Sequence, residues 1–116
     1  MMAQMIEDVD ADSIGWSSEE QVVARQAFDL AQQREIDLII RSLRDRVNTI
    51  DTIDQIWQLH DYLSSKRYEI DGKYDYRYGN LLFVFASLVK DGLLNMEELA
   101  GIEADKLAKV KAMSRM

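Results

Sequence analysis

Cysteine and proline are both missing from this chain of 116 residues, and each absence removes a class of structure. Without cysteine there is no disulfide framework and no thiolate metal site, which fits a reducing compartment. Without proline nothing enforces a stop on a helix, so an all-helical chain becomes the leading expectation. Histidine occurs once, at His60, and the five glycines are scattered rather than gathered into a loop that cradles phosphate. The longest apolar run, Leu81 to Val89, is about half of what a bilayer span needs. The opening residues, Met1 to Ile6, lack the basic-then-apolar order of a secretory signal. A soluble, intracellular protein is expected.

What remains is the composition of a folded domain, 47% hydrophobic and 30% charged. A mass of 13.4 kDa suits one domain with a modest core, which pairing with a second copy would enlarge. The net charge of -7 is unevenly placed. Glu7, Asp8, Asp10, Asp12, Glu19 and Glu20 fall in the first 20 residues, where there is no base, and the rest of the chain is close to neutral. Residues 1–16 therefore read as an acidic tail, expected to be mobile, and residues 17–116 as a single helical domain. An isoelectric point near 4.6 argues against nucleic acid, whose binding needs a basic stripe that displaces phosphate counterions.

Ser17-Ser18-Glu19-Glu20 has the form of a capping box and predicts a helix start. The helical pattern then runs to about Val47, and within it Ile36, Ile40, Leu43, Val47 and Ile50 recur at spacings of four and three. That is the seam of a helix packed lengthwise on another, either the next helix or a second copy. Cap-type residues at 48–52 predict a short break and a second helix over about 52–76, weakened near Gly72. Leu81–Val89 is apolar on nearly every side and suits a buried strand or a buried helix. We read it as a helix closed by Gly92 in a left-handed cap. Asn95-Met96-Glu97-Glu98 opens a last helix that ends in a basic turn. The expected fold is all-α: a stem of two long helices (about 17–76) and a compact head of two shorter ones (about 77–116).

On the second helix, Trp57, His60, Asp61, Ser64 and Arg67 share one row at i, i+3, i+4 spacing. Trp and Arg dominate the binding energy of protein interfaces, so the row reads as a contact surface, with Trp57 serving as a partner anchor or as a buried dimer anchor. The neighbouring face, Ile53, Ile56, Leu59, Leu63 and Ile70, is expected to hold the helix down. Arg67 is placed to pair with Asp61 of an antiparallel copy. Phe83 and Phe85 are both expected in the core, since most large apolar side chains are buried. Lys109 alone carries no signal.

Catalysis finds little support. His60 and Asp61 are adjacent, about 100° apart on a helix, and form no ready dyad. Glu97-Glu98 and Asp71 with Asp75 read as solvated surface. Neither a metal site nor a cofactor site is expected.

From Ile53-Asp54-Gln55-Ile56-Trp57-Gln58-Leu59-His60-Asp61-Tyr62-Leu63-Ser64-Ser65-Lys66-Arg67, through Glu69–Asp75, Phe83–Ala86 and Glu97–Leu99 to Ala104–Lys106, the chain resembles the cyanobacterial fluorescence recovery protein family. The resemblance spans about residues 16–113 and is densest over 51–86. It implies an all-helical homodimer that needs no cofactor. Members bind the photoactivated red form of the orange carotenoid protein, mainly its C-terminal domain, and speed its return to the orange form. Quenching of the phycobilisome then ends. The resemblance places Trp57, His60, Asp61 and Arg67 in a patch tied to activity and dimerisation, and Phe83 and Lys109 in a head surface that contacts the partner. It also implies a cytoplasmic location near the phycobilisomes. The alternative from another class is a helical dimeric scaffold or stress adaptor that sequesters a partner without accelerating its conversion.

Overall fold

The structure, a computed structural model, describes residues 13–116. The acidic tail expected over residues 1–16 lies, as far as residue 12, outside the described residues. Its last residues, Ser13 to Trp16, turn against the head: the Trp16 N–H donates to the Ser13 carbonyl, and the Trp16 ring sits 5.5 Å from Tyr78.

Helix α1, Ser18–Val47, starts where the capping box predicts. The Ser17 hydroxyl accepts the Glu20 N–H at 3.1 Å and the Glu20 carboxylate accepts the Ser17 N–H at 2.9 Å. With 30 residues at about 1.5 Å each, α1 is roughly 45 Å long. A second capping box, Thr52 with Gln55, opens α2, Ile53–Lys73. This helix ends short of the expected residue 76. Tyr74 leaves helical geometry at φ -92°, ψ 73°, and its ring turns edge-on to Phe28 while its hydroxyl donates to Glu35 at 2.7 Å.

Leu81–Lys90 is the expected buried helix, α3. Gly92, at φ +77°, donates to the Val89 carbonyl and Leu93 donates to the Leu88 carbonyl, the paired bonds of a left-handed C-terminal cap. The last helix differs from expectation. Asn95 does form a capping box with Glu98, but it opens only a 3₁₀ turn, Met96–Leu99. The chain then breaks before α4, Ala104–Ser114. Leu99 and Ile102 turn inward on either side of Gly101, which lies at φ +107° so close to α1 that a Cβ there would come within 2.9 Å of Val23.

One buried cluster forms the core, and it sits at the head end. Ala24, Ala27, Phe28 and Ala31 give the first half of α1 a narrow, small-residue face, and Leu81, Val84, Phe85 and Leu88 give α3 its buried face. Leu93, Leu94, Leu99, Ile102 and Val110 complete the cluster. Burying each large side chain contributes about 1.5–3 kcal/mol. Phe85 is fully buried, but Phe83 is 66% exposed, which corrects its expected place in the core. Residues two apart on a helix point about 200° from one another, so one face cannot bury both.

Three ion pairs tie α1 to the rest of the head. Glu20 accepts from the Glu103 N–H at 2.9 Å and from the Lys106 ammonium at 3.0 Å. Burial opposes its charge, but the N–H groups of Glu103 and Ser17 together with Lys106 outweigh burial and bring the carboxyl down to about 2. Arg34 meets Glu98 in a two-pronged pair at 2.7 and 2.6 Å and also donates to the Leu93 carbonyl. Hydrogen bonding from Arg34 holds Glu98 below the usual carboxylate range. Lys73, at the end of α2, bridges Glu35 at 3.1 Å and Asp91 at 2.9 Å. Burial works against its charge, and the bonds to Asp91 and Glu35 overcome it and raise its pKa.

The stem is different. No residue of α2 is buried. Tyr62 reaches Ser42 on α1 through its hydroxyl at 3.4 Å and lies under the Arg46 guanidinium at 3.9 Å. Ile36, Ile40 and Val47 of the expected seam are exposed while Leu43 and Ile50 are half-buried, so the next helix covers it only in part. On α2, Leu59, Leu63 and Ile70 are half-buried, but Ile53 and Ile56 are exposed, so the face expected to hold the helix down does so only in part. The molecule is extended, 62 × 35 × 19 Å. Among the described residues there are four α-helices and no strand.

Candidate functional sites on the stem and the head

The stem row is intact because α2 is an unbroken helix from Ile53 to Lys73. Trp57 is 58% exposed, a large aromatic surface left in water. His60 and Asp61, expected to point apart, meet at the surface, with Nδ1 of the ring 3.3 Å from a carboxylate oxygen. Flexible side-chain torsions close the 100° offset between their backbone positions. Both are well exposed, so the pair contributes little to stability. Arg67 lies 3.7 Å from Asp71 one turn on, within its own helix. Ser64, the one hydroxyl of this row, lies one turn beyond His60 and is exposed. What the row offers is an indole, an imidazole and charges of both signs beside exposed Ile53 and Ile56.

The head site forms where α3 and α4 pack side by side. Phe83 stands on the outer face of α3 between two grooves. One, of about 370 Å³, is lined by Tyr78, Gly79, Leu82, Phe83, Lys109, Ala112 and Met113. The other, of about 590 Å³, is lined by Phe83, Ala86, Ser87, Lys90, Met113 and Met116. Each groove is largely apolar, and each carries one lysine and no acid. An exposed phenyl ring set between such grooves can anchor a protein contact, and flexible methionines can adapt to what docks there.

The structure thus brings Phe83 and Lys109 to one groove and keeps Trp57, His60, Asp61 and Arg67 together on the stem. Tyr78, Leu82, Lys90, Met113 and Met116 were not singled out from the sequence. Their signal was present as helical spacing (82, 83, 86, 90 on α3 and 109, 112, 113 on α4, with Met116 just past its end), but only the docking of α3 on α4 turns two stripes into one surface.

Behind the groove, rings are stacked in a ladder. Phe28 meets Tyr76 edge-on at 4.9 Å, Tyr76 meets Tyr78 at 5.4 Å, and Tyr78 meets Trp16. Burial, with Tyr78 beside it, pushes the Tyr76 hydroxyl above its ordinary range, so it stays neutral. The ladder packs Tyr76 and Tyr78, in the segment that leads into α3, against Phe28 of α1 and against Trp16.

Among the described residues no three His, Cys, Asp or Glu side chains gather as a metal site, and no helix is long and apolar enough to cross a membrane.

Comparison with known proteins agrees with the all-helical fold. The profile of a family described as the photoprotection regulator fluorescence recovery protein matches residues 16–114. The fluorescence recovery protein of Synechocystis sp. is 46% identical over 101 residues, covering 87% of this chain and 93% of the relative. The solved structure of the Fremyella diplosiphon fluorescence recovery protein superimposes with a TM-score of 0.85 at 51% identity, over 87% of this chain and 99% of that one. The Synechocystis structure gives the same TM-score, 0.85, and the same coverage at 46% identity.

Proposed function

The chain belongs to the fluorescence recovery protein family of photoprotection regulators, and from that membership we propose that it binds the photoactivated red form of the orange carotenoid protein and speeds its return to the orange form. Contact is made mainly with the partner's C-terminal domain, and the result is recovery of phycobilisome fluorescence. The observation that carries the reading is Phe83, 66% exposed between two apolar grooves that each bear a lysine.

A binder accelerates such a return only if it holds the closing arrangement of the partner's domains better than the open one, because equal affinity for both shifts nothing. The carotenoid belongs to the partner, and this chain performs no covalent step and needs no cofactor. The open row on the stem serves a second role. A second copy laid along Ile36, Ile40, Val47, Ile53, Ile56 and Trp57 covers side chains that one chain leaves in water. The active species is accordingly a homodimer, working in the cytoplasm beside the phycobilisomes, with Trp57, His60, Asp61 and Arg67 at the seam and the Phe83 and Lys109 surface facing the partner.

The test is to add the chain to photoactivated orange carotenoid protein and follow the red-to-orange absorbance change in darkness. The rate should rise with the amount of chain added. Binding without acceleration would instead establish a sequestering scaffold.

A further inference from the structure

The start of the described chain is held at the edge of the Phe83 grooves. Lys106 of α4 donates to the Gly15 carbonyl and lies 4.5 Å from the centre of the Trp16 ring, and Trp16 packs on Tyr78, which lines the first groove. Gly15 and Trp16 therefore sit beside α4, where Lys109 lies one turn beyond Lys106. Residues 1–12 precede the stretch shared with the family, 16–114. They carry Glu7, Asp8, Asp10 and Asp12 and no base, interleaved with Met5, Ile6 and Val9.

That chemistry complements the grooves. Each groove pairs apolar walls with one lysine, and among the described residues neither Lys90 nor Lys109 makes an ion pair. The reach suffices as well. Extended backbone from Ser13 back to Ile6 covers up to about 23 Å, against roughly 10 Å from Lys106 to Met113 along α4.

We propose that the segment Met5–Asp12 docks on the Phe83 grooves of its own chain, its apolar side chains against the groove walls and its acids near Lys109 and Lys90, and so competes with the protein partner for that surface. The competition rests on the reading of Phe83 as the partner's contact; the docking does not. Tethering gives the segment an effective concentration on the order of millimolar, so even a weak contact is well populated. Salt weakens it, because its charges are near the surface.

The test uses the full chain without partner. A zero-length carbodiimide should join Lys109 or Lys90 to carboxylates within residues 7–12, in chains of one isotope label when light and heavy protein are mixed. The methyl resonances of Met113 and Met116 should move in a variant carrying Glu7→Gln, Asp8→Asn, Asp10→Asn and Asp12→Asn. That variant should bind the partner about 3–10-fold more tightly, the gain expected when a groove that is mostly self-occupied is freed. Absence of these cross-links with coincident methyl spectra would overturn the docking. Cross-links found only between unlike labels would also overturn it, in favour of a second copy. Docking with unchanged partner affinity would overturn the competition. A failure of the partner-contact reading shows separately, as partner binding that Phe83→Ala does not weaken.

Discussion

Head and stem are built from the same kind of helix, yet they treat apolar residues in opposite ways. The first half of α1 contributes Ala24, Ala27, Phe28 and Ala31 to a closed core, while its second half leaves Ile36, Ile40 and Val47 in water. The same contrast separates α3, which buries Leu81, Val84, Phe85 and Leu88, from α2, which buries nothing. Polar tethers follow the same division. The head is pinned by Glu20 with Lys106 and by Arg34 with Glu98, and Lys73 joins it to the end of the stem, whereas the pairs along α2 are exposed. Stability is thus concentrated in the head, which leaves Phe83 and its grooves open, while the stem leaves whole apolar rows without a closed core. A helix that is well formed but weakly held within one chain draws its stability from what it pairs with.

The difference is sharpest in core truncations. Phe85→Ala should lower the unfolding free energy by about 3–5 kcal/mol in urea titrations, whereas Leu59→Ala, at a half-buried stem position, should cost under about 1.5 kcal/mol. Comparable losses at the two sites would break the contrast. Lys106→Met should cost about 1–3 kcal/mol, because it leaves the buried Glu20 carboxylate short of a donor. Glu20 also predicts the response to acid. Its folded pKa, about 2, lies below the ordinary 4.5, so its stabilisation is complete above pH 4.5 and fades as pH falls towards 2. Circular dichroism of Glu20→Gln should show that part of the acid dependence removed. Thr52→Ala takes the acceptor from the α2 cap and should cost about 1 kcal/mol, felt as fraying of the stem while the head signal holds. Smallest in stability is Trp57→Ala, within about 0.5 kcal/mol for the isolated chain. Its effect should appear in sedimentation instead, as a shift from dimer towards monomer.

Much of this division could be read in the sequence, and the reasons for the remainder are physical. The capping box at Ser17, the cap-type break at 48–52 and the left-handed Gly92 are local devices, decided by hydrogen bonds within a few residues, and their positions were legible, although the Thr52–Gln55 box within that break was not singled out. The row from Trp57 to Arg67 needed only an intact helix. Phe83 was not legible from burial statistics, because a nearly all-apolar segment does not say which side faces inward; the packing of α3 on α4 decides that. Gly101 was missed for a similar reason. Its need to lack a Cβ comes from the approach of Val23, 78 positions earlier, which no local pattern reveals. The contact of His60 with Asp61 depended on side-chain torsions that backbone spacing does not fix.

The most direct test of the account measures the dark red-to-orange recovery of orange carotenoid protein with the native chain and with Phe83→Ala, after checking that both unfold at the same urea concentration. The account predicts a native chain that accelerates recovery and a variant, equally stable, whose partner binding falls by about 30-fold or more and whose acceleration falls with it. Equal recovery rates with native chain and variant at limiting concentrations would contradict it.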